Sequence, residues 1–114
     1  INKDQLNSLD KRLLALKDIF DIDVKEIEIE EEELRTQDPE FWNDPKQAEQ
    51  VLKKLKQKKV WTETYDKISS SLDDLEVLIE FNKEGEASAE EVYVQHMKIV
   101  ELLDDLEFKN MLSG

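Results

Sequence analysis

Cysteine is absent from these 114 residues, and there are only two glycines, two prolines and one histidine. Without cysteine there is no disulfide framework, no thiolate zinc site and no thiol nucleophile. The lack also fits a reducing compartment. So few chain breakers argue against an all-β domain, which needs them at most turns, and favour helices, which tolerate few. No apolar run approaches the ~20 residues that cross a bilayer, and the N-terminus has no signal-peptide core. Cations are outnumbered as well. Sixteen Lys and Arg against 29 Asp and Glu leave a net charge of −13, which disfavours general binding to DNA or RNA phosphates.

What is present is helical periodicity. The length suits one ordinary domain rather than two. Leu6, Leu9, Leu13, Leu16 and Phe20 recur at alternating spacings of three and four, the seam of a helix packed on another helix. This predicts a first helix over about 3–20. Asp21-Ile22-Asp23 then offers side-chain oxygens to cap a restart, and a second helix over about 23–36 carries Val24, Ile27 and Leu34 on one side. Ile29 points elsewhere, so that stripe is the weaker one. Asp38-Pro39 ends it.

Asp44-Pro45-Lys46-Gln47 places a capping acid before proline at the first helical position. No Gly or Pro follows until Gly85, which suits a left-handed residue beyond a helix end. The implied helix over 45–82 is about 38 residues, or ~57 Å at 1.5 Å per residue. Too long for a compact globule, it needs partners laid along it. Ala48, Leu52 and Leu55 start its stripe; Trp61, Tyr65, Ile68, Leu72, Leu75 and Ile79 continue it, with a phase jump of ~100° between the two sets. Ser88-Ala89-Glu90-Glu91 is a capping box opening a last helix over 89–112, with Val92, His96, Ile99, Leu103 and Leu106 on its seam. The predicted fold is all-α: an elongated antiparallel helical bundle or coiled coil, three helices at one end and two at the other. Residue r of the second helix is expected opposite about residue 81 − r of the long one. That would set Glu26, Glu28 and Glu30 to Glu33 against Lys46, Lys53, Lys54, Lys56, Lys58 and Lys59.

Constellations with chemistry are few. Asp21-x-Asp23 opens like a calcium loop but has Lys25 and Glu26 where a ligand and glycine belong. A di-iron Glu-x-x-His pair would need Glu at 93, where Tyr stands. Asp73-Asp74 and Asp104-Asp105 point ~100° apart on a helix and form no carboxylate dyad. With Gly only at 85 and 114, neither phosphate-cradling glycine motif exists. No metal, cofactor or catalytic residue is expected, and the chain is not expected to be an enzyme. The candidates for partner contact are the basic stretch Lys53, Lys54, Lys56, Lys58 and Lys59, and the aromatic pair Phe41-Trp42. Each has a plainer alternative. The lysines can form a solvated face paired with glutamates, and the aromatics can plug the corner between the second and long helices.

At Pro39-Glu40-Phe41-Trp42-Asn43-Asp44-Pro45-Lys46-Gln47-Ala48 the sequence resembles the N-terminal helical domain of the bacterial class-I peptide chain release factor 2 family, whose members read UGA and UAA. Asp21-Ile22-Asp23 is similar to that family's acidic hinge. Leu106-Glu107-Phe108-Lys109-Asn110-Met111-Leu112-Ser113-Gly114 looks like the helix preceding its catalytic region. The likeness covers essentially the whole chain. It lacks the family's Gly-Gly-Gln hydrolysis motif and its Ser-Pro-Phe codon-reading motif. With Ile1 in place of an initiating Met, residues 1–114 are expected to be a single helical domain, the first of a longer factor. The resemblance implies a cytoplasmic docking role on the ribosome, touching the large-subunit stalk-base protein and rRNA at the GTPase-associated region, beside the factor's remaining domains. No membrane or DNA partner is implied. A free-standing acidic coiled-coil adaptor is the alternative.

Overall fold

The computed structural model describes residues 1–113. Four α-helices follow in order, α1 (Lys3–Ile19), α2 (Ile22–Thr36), α3 (Pro45–Lys83) and α4 (Ala89–Ser113), with a 3-10 segment (Pro39–Asn43) before α3. No strand occurs among the described residues. The all-α expectation holds, as does the single long helix: α3 has 39 residues. By contacts the chain divides into two compact units, Ile1–Ile19 together with Tyr65 onward, and Phe20–Thr64.

The first unit is built from α1, the C-terminal half of α3 and α4. Its core is the heptad seam: Leu9, Leu13 and Leu16 meet Ile68, Leu72 and Leu75 with Val92, Ile99, Leu103 and Leu106, all buried. Each such side chain contributes ~1.5–3 kcal/mol of transfer free energy. Arg12 ties α1 to α4. Its Nε donates to Glu107 Oε2 at 3.1 Å, and one terminal nitrogen reaches Glu107 Oε1 at 2.6 Å and Asp104 Oδ1 at 2.8 Å. Those bonds, Glu107's first, hold the guanidinium charged even more firmly than usual. Between α3 and α4, Gly85 sits at φ +79°. Glu86 N–H donates to Phe81 O at 2.8 Å and Gly85 N–H to Asn82 O at 3.1 Å, the paired bonds of a Schellman stop. Ser88 and Glu91 form the expected capping box, at 3.1 Å and 2.7 Å. A second box, Asn2 with Gln5 at 2.8 Å each way, opens α1, and its N-x-x-Q pattern is present in the sequence.

The second unit contains α2, the 3-10 segment and the N-terminal half of α3, and it departs from expectation in four ways. Asp21 caps α2 with its backbone in the left-handed region (φ 49°, ψ 49°) and makes no side-chain cap bond. The stripe on α2 is a different one: Val24, Ile27 and Leu34 are all more than half exposed, whereas Ile22 is buried and Ile29 half-buried. The inward series is Ile22, Lys25, Ile29, Glu32 and Thr36, again spaced three and four. The phase jump on α3 is also absent. Ala48, Val51, Leu55, Lys58 and Thr62 continue one seam, Leu52 lying toward solvent. Finally, Phe20, the last residue of the expected first helix, stacks on Trp61 at 4.7 Å, and the register 81 − r expected of the second helix does not hold at its carboxylates. Glu28 and Glu32 both reach Lys58 at 2.9 Å, and Glu33 reaches Lys59 at 3.3 Å, one to three turns from their expected partners. The cause is common to three of these. Polar residues stand at inward positions, so the ion pairs rather than apolar spacing set the alignment.

Candidate functional site

The basic stretch and the aromatic pair lie in the same unit, and the fold sorts them. Lys58 is turned inward, its side chain 21% exposed, and its ammonium is shared by Glu28 and Glu32. The hydrogen bonds it donates, to Glu28 first and Glu32 second, raise its pKa above the usual lysine value. Lys59 pairs with Glu33 at 3.3 Å. Neither is available to a partner without breaking a bond. Lys53 is exposed and pairs within its own helix with Glu49 at 3.0 Å. Lys46, Lys54 and Lys56 are exposed and make no ion pair among the described residues. Half of the glutamate block is likewise solvated, since Glu26, Glu30 and Glu31 are exposed and bond no lysine of α3 among the described residues.

The corner is built from its hydrogen bonds outward. Asp38 Oδ1 accepts from Glu40 N–H at 3.0 Å and Pro39 takes the first helical position, so the chain winds into a 3-10 turn that ends at Asn43. Asp44 Oδ1 then accepts from Gln47 N–H at 3.2 Å and starts α3. Trp42 donates its indole N–H to Thr36 O at 3.1 Å, satisfying one of the carbonyls left over at the end of α2. Phe41 stands edge-on to Trp42, ring centres 5.0 Å apart. As a plug the pair is only partial: Phe41 is half-buried, and Trp42 remains 54% exposed. One side of its ring overlooks a shallow surface groove of about 420 Å³ along the first turns of α3, with Pro45, Ala48 and Leu52 as the apolar lining and Lys53 and Lys56 at the rim. The sequence offered the ingredients of this groove. It did not show that α3 turns Lys53 and Lys56 to the same side as Trp42.

His96 lies half-buried on α4, its Nδ1 enclosed without a hydrogen-bond partner among the described residues. Burial lowers its pKa below the ordinary histidine value, and the Ile1 amino group acts in the same sense. Among the described residues no three His, Asp or Glu side chains converge as a metal ion would require. No helix among them is long and apolar enough to cross a membrane.

Comparison with known families matches the chain to the PCRF domain over residues 25–114. Among curated proteins the chain is similar to the peptide chain release factor 2 of Shewanella woodyi, 31% identical over 98% of this chain and 31% of the relative. It is similar to that of Shewanella baltica, 33% identical over 98% of this chain and 31% of the relative. The peptide chain release factor 2 of Neisseria meningitidis is 34% identical over 95% of this chain and 30% of the relative. The chain thus spans under a third of the length of the curated relatives it matches.

Proposed function

Because the chain belongs to the PCRF domain family, we propose that it is the N-terminal docking domain of a translation termination factor of the release factor 2 kind, the kind that reads UGA and UAA. Residues 1–114 act in this reading as one helical domain. Peptidyl-tRNA hydrolysis and stop-codon reading are assigned to other domains of the same cytoplasmic factor. The partner is the ribosome, at the large-subunit stalk base with its protein and rRNA.

The observation that carries the reading is the conjunction of the family match over residues 25–114 with relatives named peptide chain release factor 2, of which this chain spans under a third. Chemistry supports the division of labour. The sequence holds no Gly-Gly-Gln and only two separated glycines, and the titratable groups of the described residues are engaged in ion pairs, solvated or, like His96, enclosed alone. The test is competition in a reconstituted termination assay. A large excess of the 114-residue chain should slow peptide release by the intact factor at UGA. Release that proceeds at an unchanged rate, with the chain folded by circular dichroism, would remove the docking role.

A further inference from the structure

We infer that the groove beside Trp42 is a receptor for an acidic peptide segment that inserts one bulky apolar side chain. The inference deepens the docking reading above, and rests on it for the setting in which such a segment would be met. The groove's chemistry is argued from its own residues.

Trp42, Pro45, Ala48 and Leu52 supply an apolar floor, so a ligand gains most by placing an apolar group there rather than a phosphate or sugar. The volume of about 420 Å³ falls within the ~300–1,000 Å³ typical of ligand clefts and accommodates a Phe or Leu side chain. Trp42 is pre-positioned, because its indole N–H is already bonded to Thr36 O at 3.1 Å. Little freedom is left for binding to remove, and an exposed Trp fixed in this way has the character of an interface anchor.

Charge selects the flanks. Lys53 and Lys56 stand at the rim, and Lys46 and Lys54 of the same helix are also exposed. Lys53 is held by Glu49, but that pair is 71% and 65% exposed, and exposed pairs of this kind are weak because water and salt screen them. A ligand carboxylate can replace Glu49 at little cost. The net charge of −13 opposes an acidic partner at long range, yet screening over ~8 Å in physiological salt leaves the nearest lysines in control. RNA is the other ligand that basic residues and a Trp attract. It is disfavoured because a bound strand needs a track of phosphate contacts with successive stacking rings, whereas here a single ring faces an aliphatic floor.

The test measures polarisation of a fluorescein-labelled peptide with one Phe flanked on each side by three Glu, against the 114-residue chain. Saturable binding is expected, weakened at least tenfold by Phe→Ala in the peptide and at least tenfold by Lys53→Glu with Lys56→Glu in the protein. Leu52→Gln should weaken it several-fold. All three protein positions are exposed on α3, so helicity and the Trp61 environment should stay unchanged. Absence of saturable binding up to millimolar peptide overturns the inference. So does binding insensitive to the three substitutions, or an oligouridylate that binds more tightly than the peptide. Failure of the docking reading is separable: peptide binding without any slowing of termination would leave the groove as a receptor and remove the ribosome as its setting.

Discussion

Lys58 tests whether the second unit is aligned by buried charge. Its ammonium lies 2.9 Å from both Glu28 and Glu32, with Lys58 and Glu32 side chains each 21% exposed. Glu32 Oε2 is enclosed with no hydrogen-bond partner among the described residues, so that carboxylate depends on Lys58. Breaking a fully buried pair costs ~3–5 kcal/mol, whereas an exposed pair contributes ~0–1. With both partners mostly covered, Lys58→Met should destabilise by about 2 kcal/mol, between those limits. The penalty comes from stranding Glu32, so removing it should recover most of the loss. Lys58→Met with Glu32→Met should lie within ~1 kcal/mol of the parent, because apolar replacements of a buried pair are often neutral. Glu32→Met alone should cost less than Lys58→Met, since Lys58 keeps Glu28.

The assay is urea unfolding followed by helicity at 222 nm and by Trp fluorescence, which in this unit reports Trp61, stacked on Phe20, together with the more exposed Trp42. With a urea dependence of ~1–3 kcal/mol per M, a change of 1 kcal/mol moves the midpoint by ~0.3–1 M. pH supplies a second reading. The folded pKa of Lys58 is raised above 10.5 by its bonds to Glu28 and Glu32. Its contribution is therefore fully present below pH 10.5 and lost as pH climbs through the higher folded value. Lys58→Met should flatten that alkaline loss. The reasoning is refuted if Lys58→Met unfolds at the parent's urea midpoint, or if adding Glu32→Met lowers the midpoint further.

Three further outcomes follow from single positions. Gly85→Ala should cost about 1 kcal/mol, the ordinary penalty of a side chain in the left-handed region, and no more, since an added Cβ meets nothing within 4 Å of Gly85; a larger loss in urea midpoint would contradict the open surroundings. Ser88→Ala removes the Oγ that accepts Glu91 N–H at 3.1 Å and should cost ~1 kcal/mol, visible as faster amide exchange in the first turn of α4. Burial lowers the pKa of His96 below 6.5, so its neutral form contributes stability that is present above pH 6.5 and lost as pH falls through the lower folded value; His96→Gln should remove this loss between pH 7.5 and 5.5, and an identical slope in both proteins would count against it.

The parts of the fold that could be read in advance are those written in local chemistry. Asp44-Pro45, Gly85 and Ser88…Glu91 each act through a backbone bond within a few residues, and each stands where expected. The seam of α1 and α4 was legible because every fully buried position on those helices is apolar. On α2 the same rule misled. Val24, Ile27 and Leu34 are the obvious apolar set, yet all lie toward solvent, because the inward face carries Lys25 and Glu32 between Ile22 and Ile29. Across from it, Lys58 and Thr62 interrupt the apolar seam of α3 and so gave the impression of a phase change. Both errors belong to one interface. Charges that pair across it are invisible to a pattern built on hydrophobicity, since a lysine reads as surface until its glutamates are located.

The candidate surface was half legible for the same reason. A run of lysines between 53 and 59 looks like one basic patch, but a helix distributes consecutive residues around its axis by ~100° each. Two of the five, Lys58 and Lys59, are turned to the glutamates of α2 and neutralised there. Lys53 and Lys56 fall instead on the groove of Trp42, a residue that the sequence places next to the start of the helix and not beside its second and third turns. In the proposed receptor reading, recognition rests on local potential over an apolar floor, which arises only after folding has cancelled part of the charge and brought the remainder to one ring. A substitution such as Glu33→Gln, which frees Lys59 without touching the groove, should leave binding of the acidic peptide within about twofold, because screening confines each lysine's influence to ~8 Å. Equal strengthening by freeing Lys59 and by an added lysine at the rim, measured by the same polarisation assay, would show that total charge and not placement governs recognition.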